Sequence, residues 1–177
     1  MFPIDIHKLK QLFFYNPEEP LIFNSGLFLF LFTGFLWVYI SLSKTHKPKL
    51  IFVTLFSLYF YYKSSGAYFI LLLFATAIDF TLAKMIYSSR EEWQRKFYII
   101  VTLIVNLGML RYFKYTNFLF DSFFSLTGQG YEPMDIFLPV GVSFFTFQSL
   151  SYTLDVYRGN LKPVDNILDY AFFVSFF

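Results

Sequence analysis

The sequence predicts an all-α fold, a polytopic transmembrane helical bundle of about five membrane segments plus the start of a sixth. Hydrophobic residues make up 56% of the 177 residues, and charged residues only 15%. Soluble domains carry about 25% charged residues. The apolar residues also come in long blocks without a sustained helical or strand period, as expected of segments that contact lipid or protein on every side.

Three apolar blocks occupy the first half of the chain and are separated by short polar loops. The block 21–42 contains no charged residue, and the block 67–83 ends before Lys84. The intervening block 50–62 is shorter than the roughly 20 residues that a straight span needs. We therefore expect it either to recruit neighbouring polar residues or to meet a locally thin membrane.

A fourth block covers 97–126 and is interrupted by Arg111 and Lys114. Arg111 follows the start of the block by about 21 Å at helical rise. This distance places its side chain in the far half of an apolar core about 30 Å thick. A turn-rich loop then leads to a fifth segment, 138–159, in which Pro139 suits the first turn of a helix.

The two ends of the chain have their own patterns. Residues 1–20 predict an N-terminal interfacial segment, with apolar and basic side chains on opposite faces of a short helix. Residues 21–177 predict the N-terminal part of a multi-span membrane domain. The chain ends inside an apolar run, where a terminal carboxylate is costly. We therefore expect a longer protein that is truncated at residue 177.

The distribution of basic residues predicts the orientation in the membrane. With the N-terminus outside, the loops after the first, third and fifth segments carry more Lys and Arg than the opposite side. The residues on this cytoplasmic side are Lys44, Lys47, Lys49, Lys84, Arg90, Arg95, Lys96, Arg158 and Lys162, and those on the opposite side are Lys8, Lys10, Lys63, Arg111 and Lys114.

Several kinds of chemistry are excluded by composition. The chain has no cysteine, which excludes disulfides, a thiolate nucleophile and cysteine metal sites. Its two histidines, His7 and His46, have no metal-ligand partner at a useful spacing, so we expect no metal site. A net charge of +2 is too small to indicate nucleic acid as a partner.

The sharpest polar set lies on the fifth segment. Gln148, Tyr152 and Asp155 are spaced by four and three residues and share one helix face. They could line a substrate path, or they could hydrogen-bond to neighbouring helices, as polar side chains in membranes commonly do. A second set of small and branched residues follows the same spacing one step round the helix: Val142, Thr146, Ser149, Thr153 and Val156.

Two further candidates lie inside apolar blocks. Asp79 is an intramembrane carboxylate, which indicates either a functional group or an interfacial acid paired with a neighbouring polar group. Arg111 and Lys114, with Asn117 and Asp121 nearby, could bind an anionic group such as a carboxylate or phosphate. The alternative is that the two cations snorkel to the headgroups, with Asp121 as counter-ion.

Segment 138–159, LPVGVSFFTFQSLSYTLDVYRG, and the following NILDYAFFVSFF closely resemble the bacterial membrane-bound O-acyltransferase family, and within it the alginate O-acetyltransferase branch. Three weaker matches support the resemblance: FNSGLFLFLF at 23–32, the pair Asp79-Phe80, and NLGMLRYFKYTNF at 106–118.

The resemblance implies a polytopic enzyme of the bacterial inner membrane that transfers an acyl group, most simply acetyl, to hydroxyls of a cell-surface polysaccharide. It implies no bound cofactor, an acyl donor such as acetyl-CoA or an acyl carrier, and partners that include the bilayer, the polysaccharide and other subunits of an acetylation system. The family's catalytic histidine belongs to a later part of its sequence. Neither His7 nor His46 matches it, so we expect this chain to contain no catalytic residue and to be inactive alone.

A function of another class also fits the residues. The chain could be a non-catalytic membrane subunit, or a carrier for an anionic or lipid-linked ligand. In that case Asp79, Arg111 and Lys114 would matter more than the segment 138–159.

Overall fold

The computed structural model describes residues 13–16, 21, 25–42, 46–128 and 130–176. Every regular element in these ranges is helical, which confirms the all-α prediction. The predicted interfacial segment 1–20 lies largely outside them. The α-helices are α1 (Gly26–Ser41), α2 (His46–Ser65), α3 (Phe69–Ser88), α4 (Glu92–Leu110), α5 (Thr116–Leu126), α6 (Val142–Arg158) and α7 (Ile167–Ser175); a 3-10 turn, Gly66–Tyr68, follows α2, and a π-helix, Arg111–Tyr115, joins α4 to α5.

Two continuous helical stretches within the described residues are long and apolar enough to cross a membrane. One is His46–Ser88, which contains α2, the 3-10 turn and α3; the other is Glu92–Leu126, which contains α4, the π-helix and α5. Helix α1 is apolar but has only 16 residues. These helices agree with a membrane protein, while the number of spans, expected to be about five, remains a prediction.

The short apolar block 50–62 lies inside a longer helix. Helix α2 has 20 residues, because it also includes the polar residues His46–Lys49 at one end and Lys63–Ser65 at the other. At helical rise it extends about 30 Å, close to the thickness of an apolar membrane core. The helix that contains the block thus includes its polar neighbours on both sides, while the way it meets the membrane stays a prediction.

The chain forms two compact units, 1–73 with 165–177 and 74–164. In the first unit, α2 packs against α1 and α7. Aromatic side chains dominate the contact between α1 and α2: the Phe35 ring lies 5.2 Å from the Phe52 ring and 4.4 Å from the Phe56 ring, centroid to centroid. Such ring pairs add packing energy beyond the area they bury.

The C-terminal end of α2 holds the described part of the N-terminal segment. Lys63 is only 3% exposed, and its ammonium donates a hydrogen bond to the carbonyl of Phe14. The Leu21 amide donates to the Lys63 carbonyl at 3.2 Å, and the Ser64 hydroxyl donates to the Leu21 carbonyl at 2.7 Å. The buried cation is therefore compensated by a backbone carbonyl at this end of the helix.

Gly66 directly follows the C-terminal end of α2. Its φ of +60° lies in the left-handed region, which favours glycine. A Cβ atom at this position would lie 2.7 Å from the ring of Tyr15. Both the backbone conformation and the close approach of the tyrosine ring thus require a residue without a side chain.

In the second unit, α4 and α6 pack together as an antiparallel pair. Near the start of α4, the Arg95 guanidinium donates to the carbonyl of Tyr157 and lies 5.4 Å from its ring centroid. In the π-helix beyond the other end of α4, Lys114 Nζ lies 3.4 Å from Ser143 Oγ, at the start of α6. The two contacts fix the direction of the pair and the register between the helices.

Helix α6 begins later than predicted. Pro139 lies outside it, and the first helical residue is Val142. The reason is Gly141, whose φ of +76° is incompatible with a right-handed helix and marks the boundary. The predicted end is correct: Gly159, with a φ of +78°, terminates the helix, and the Asn160 amide donates to the Asp155 carbonyl at 3.0 Å.

Candidate functional site

A buried polar cluster lies in the second unit, where α3, α4 and α6 contribute side chains. Asp79 of α3 and Asn106 of α4 are both completely buried. The Asn106 amide nitrogen donates to Asp79 Oδ1 at 2.8 Å and to the carbonyl of Thr102 at 3.1 Å. Asp79 is therefore paired with a neutral polar side chain from another helix, and the choice between a functional and an interfacial role stays a prediction.

Helix α6 adds a row of small hydroxyl residues to this cluster. Thr146, Ser149 and Thr153 are completely buried, and the Ser149 hydroxyl forms a hydrogen bond with the Asp79 carboxyl group. The Thr153 hydroxyl donates to the Ser149 carbonyl at 3.0 Å, within its own helix. Small side chains allow helix backbones to approach closely, and their hydroxyls supply the polar contacts between helices in a membrane.

Three oxygen atoms of the cluster are buried without a hydrogen-bond partner among the residues that the structure describes: Asp79 Oδ2, Asn106 Oδ1 and Thr146 Oγ1. The cluster thus holds more acceptors than the neighbouring side chains satisfy. Since Asp79, Asn106 and Thr146 are completely enclosed, the arrangement is suited to fixing three helices relative to one another. It presents no group to a substrate at the surface of this chain.

Asn106 was not recognised as a site residue from the sequence. A signal was present, because a single amide inside an apolar run commonly forms a hydrogen bond between membrane helices. Its partner could not be identified, since Asp79 lies 27 residues earlier in the chain. Only the packing of α3 beside α4 brings the two side chains together.

Gln148, Tyr152 and Asp155 share a face of α6, as predicted, but the structure gives them different surroundings. Tyr152 is buried, and its hydroxyl accepts a hydrogen bond of 3.0 Å from the Val164 amide. The Asp155 carboxylate lies 3.4 Å from the Asn160 side-chain nitrogen. Gln148 is half-buried. Tyr152 and Asp155 therefore hold the loop that follows α6, and a role along a substrate path stays a prediction.

Arg111 and Lys114 lie in the π-helix, on exposed positions. Lys114 Nζ lies 5.5 Å from the Tyr115 ring centroid, in addition to its contact with Ser143. Arg111 lines an open cavity of about 380 Å³ whose other walls are apolar or hydroxyl side chains. These lining residues are Thr116, Leu119, Phe120 and Phe123.

Asp121 is exposed on α5, and its expected role as counter-ion to the two cations stays a prediction. Both cations lie in the π-helix, whose wider turn departs from the regular α-helical spacing of this block.

Asn117 fastens the loop after α5. Its amide nitrogen donates to the Met134 carbonyl at 2.8 Å, and its Oδ1 accepts from the Met134 amide at 3.0 Å. The Tyr131 hydroxyl donates to the same oxygen at 2.9 Å. The Tyr131 ring also stacks on Phe124 with a centroid distance of 5.6 Å. Phe120 stacks on the same tyrosine ring at 5.7 Å, so the loop is held by one side-chain amide and two ring stacks.

The absence of a catalytic residue from this chain stays a prediction. His46 is exposed at the start of α2, and His7 lies outside the described residues. Within the described ranges there is no group of three or more His, Cys, Asp or Glu side chains that could hold a metal ion.

Sequence comparisons give relatives over most of the chain. The probable alginate O-acetylase AlgI of Pseudomonas aeruginosa is 34% identical over 165 residues, which are 89% of this chain and 31% of the relative. The peptidoglycan O-acetyltransferase of Helicobacter pylori is 30% identical over 185 residues, again 89% of this chain and 35% of the relative. The probable alginate O-acetylase AlgI of Azotobacter vinelandii is 32% identical over 166 residues, 89% of this chain and 32% of the relative.

The chain therefore spans about a third of the length of these curated relatives. No family model matches the chain, and no solved structure matches it. The relatives agree with the resemblance carried by segment 138–159 and its three supporting matches. Over 89% of its length, the chain is thus similar to part of proteins named alginate O-acetylase and peptidoglycan O-acetyltransferase, consistent with a fragment of a membrane-bound O-acyltransferase.

Proposed function

We propose that this chain is part of a bacterial membrane O-acetyltransferase that esterifies hydroxyls of a cell-surface polysaccharide. One observation carries the proposal: relatives 30–34% identical over 89% of the chain are named for O-acetylation, although of two different polymers, alginate and peptidoglycan. The chemistry shared by these names is the formation of an acetyl ester on a sugar hydroxyl. The proposal therefore specifies the reaction and leaves the polysaccharide open.

In the reaction, the sugar hydroxyl attacks the acetyl carbonyl of the donor, loses its proton to a general base, and displaces the donor thiol. Such a step needs a base at the hydroxyl and hydrogen-bond donors at the developing oxyanion. We place both groups outside the residues of this chain. The Asp79–Asn106 cluster is enclosed and offers neither. His46 is exposed at the start of α2.

The role that we propose for these residues is to form one rigid wall of the acyl-transfer path. The hydrogen bonds of Asp79 fix α3 and α4, and the row of hydroxyl residues lets α6 pack closely on α4. Gln148, half-buried on α6, would then line the path. We further propose a multi-pass inner-membrane protein with the N-terminus outside, which receives acetyl groups from acetyl-CoA or an acyl carrier on the cytoplasmic side and works with other subunits of an acetylation system.

The test uses the full protein in its own bacterium. Deletion of the gene is expected to abolish the ester-linked acetate that mild alkali releases from purified surface polysaccharide, and the intact gene is expected to restore it. Unchanged polysaccharide acetate in the deletion strain would contradict the proposal and favour the non-catalytic subunit or ligand carrier.

Two variants test whether α6 lines the acyl-transfer path. Gln148→Ala is expected to lower polysaccharide acetate while the amount of protein in the membrane stays normal, because a residue on the path contacts the donor or acceptor. Ser151→Ala is the matched control, since Ser151 lies on the exposed side of the same helix. If Gln148→Ala instead lowers the amount of protein, its side chain serves packing alone.

A further inference from the structure

A cavity of about 440 Å³ lies in the first unit, lined by the end of α1, the start of α2 and the start of α7. Cavities of this volume are within the range of ordinary ligand sites. Its polar wall includes Lys47 and Lys49 of α2 and Asp169 of α7. Its apolar wall consists of Leu50, Val53 and Phe172. A cavity that is charged on one side and apolar on the other fits an amphiphilic ligand.

The charged side chains that line this cavity differ in their contacts with the rest of the protein. Lys49 is half-buried, and its ammonium lies 4.8 Å from the centroid of the Tyr39 ring, so that a cation–π contact holds it. Lys47 and Asp169 are exposed, and within the described residues neither takes part in an ion pair. Besides Lys49, which contacts Tyr39, one further cation and one carboxylate therefore line the same cavity without forming an ion pair.

The position of the cavity along α2 gives the direction of the ligand. Lys47 lies in the first turn of a helix about 30 Å long, near one boundary of the apolar membrane core. Leu50 and Val53 lie one and two turns further into the membrane, at about 1.5 Å of rise per residue. A lipid headgroup at the boundary would meet the charged wall, and its acyl chain would follow the apolar wall inward.

We propose that this cavity binds one phospholipid with a phosphoethanolamine headgroup. Lys47 binds the phosphate, aided by the positive end of the α2 helix dipole. Asp169 accepts hydrogen bonds from the primary ammonium, and Leu50, Val53 and Phe172 contact an acyl chain. The carboxylate distinguishes this headgroup from an anionic one, because Asp169 would repel a lipid whose only charge is the phosphate.

The experiment measures lipid retained by the full-length protein, purified in detergent, by native mass spectrometry. Phosphatidylethanolamine, phosphatidylglycerol and phosphatidylcholine with identical acyl chains are added in equal amounts. We expect one retained phosphatidylethanolamine per protein, in preference to both others. Phosphatidylcholine carries the same charges, but its quaternary ammonium has no N–H to donate. Equal retention of the three lipids, or a preference for phosphatidylglycerol, would overturn the proposal.

Two variants assign the contacts. Asp169→Asn is expected to lower phosphatidylethanolamine retention about threefold, the scale of one exposed charge contact, and to remove the preference over phosphatidylglycerol. Lys47→Gln is expected to lower retention of both lipids. Asp121→Asn, which changes an exposed carboxylate of the second unit, is the matched control and should leave retention unchanged. If Asp169→Asn keeps the full preference, the headgroup assignment is wrong.

Discussion

The side-chain amide of Asn106 donates a hydrogen bond of 2.8 Å to the carboxyl group of Asp79, and both side chains are completely buried. The contact joins α3 to α4 across 27 residues of sequence. Polar groups enclosed in this way stabilise a fold only while their partners are present, because an unpaired buried group retains its full desolvation cost.

The variant Asn106→Leu removes the amide and leaves Asp79 Oδ1 without this donor. We expect it to lower the free energy of unfolding by about 1–3 kcal/mol, the cost of one unsatisfied buried polar group. The measurement is chemical unfolding of the purified full-length protein in detergent micelles. Asn166→Leu is the control, since Asn166 is exposed, its side chain makes no cap hydrogen bond, and such substitutions usually change stability by less than about 0.5 kcal/mol. In the double variant Asp79→Leu/Asn106→Leu, the loss should be smaller than the sum of the single losses. Equal effects of Asn106→Leu and Asn166→Leu would contradict the assignment.

The close packing of α4 and α6 depends on small residues, and Ser149 is the test position. Ser149→Leu inserts a large side chain at a completely buried site. We expect the free energy of unfolding to fall by about 1–3 kcal/mol, as is typical of overpacked cores. Ser151→Leu makes the same chemical change two residues away on an exposed position and should have little effect. The prediction is wrong if both variants unfold at the same denaturant concentration.

Asn117 is predicted to control the loop after α5 without controlling the whole fold. Asn117→Ala removes three hydrogen bonds, two of them to Met134 and one to Tyr131. Because the Met134 amide loses its acceptor, its hydrogen exchange is expected to accelerate by about tenfold, while global stability changes by less than about 0.5 kcal/mol. Hydrogen–deuterium exchange with mass spectrometry measures both. Asn160→Ala should leave exchange in this loop unchanged, and an equal acceleration there would contradict the local role of Asn117.

Gly66 is predicted to tolerate no side chain. Gly66→Ala places a Cβ atom against the Tyr15 ring and forces a residue with a side chain to a φ of +60°. We expect a loss of at least about 1–2 kcal/mol in the free energy of unfolding from the backbone conformation alone. Gly34→Ala is the matched control, because nothing lies within 4 Å of a Cβ atom at Gly34.

Tyr15→Ala combined with Gly66→Ala separates the two causes. This double variant should recover the steric part of the loss and retain the part that comes from the positive φ. Full recovery would show that the left-handed backbone contributes nothing.

Composition and block length were sufficient to predict the helical class, because a chain this apolar can satisfy its backbone in lipid only by internal hydrogen bonds. The helix Glu92–Leu126 follows the predicted fourth block closely, with an N-terminal extension over the polar loop. Gly159 was also read correctly as a helix end, since a glycine after a charged turn is a strong termination signal. These features depend on local sequence alone.

Which side chains form the buried polar cluster depends on how the helices pack, and the sequence predicted this less well. The face with Gln148 was expected to be the important one, yet the completely buried face of α6 is the neighbouring one with Thr146, Ser149 and Thr153. Residue spacing alone defines both faces of α6 equally well. Only the antiparallel packing against α4 determines which of the two faces is buried. The hydrogen bond from the Val164 amide to the Tyr152 hydroxyl could not be predicted from the sequence either, because it depends on the path of the loop after α6.

The π-helix Arg111–Tyr115 also bears on how this chain is aligned with its relatives. A π-turn corresponds to one residue inserted into an α-helix. Just after it, the Thr116 hydroxyl lies 2.7 Å from the Tyr112 carbonyl and 3.3 Å from the Arg111 carbonyl. A relative with an uninterrupted α-helix at this point should therefore align with a single-residue gap, and an ungapped alignment would superimpose different faces of the helix beyond Arg111. Equivalence between basic residues of two such proteins has to be judged after that gap is placed.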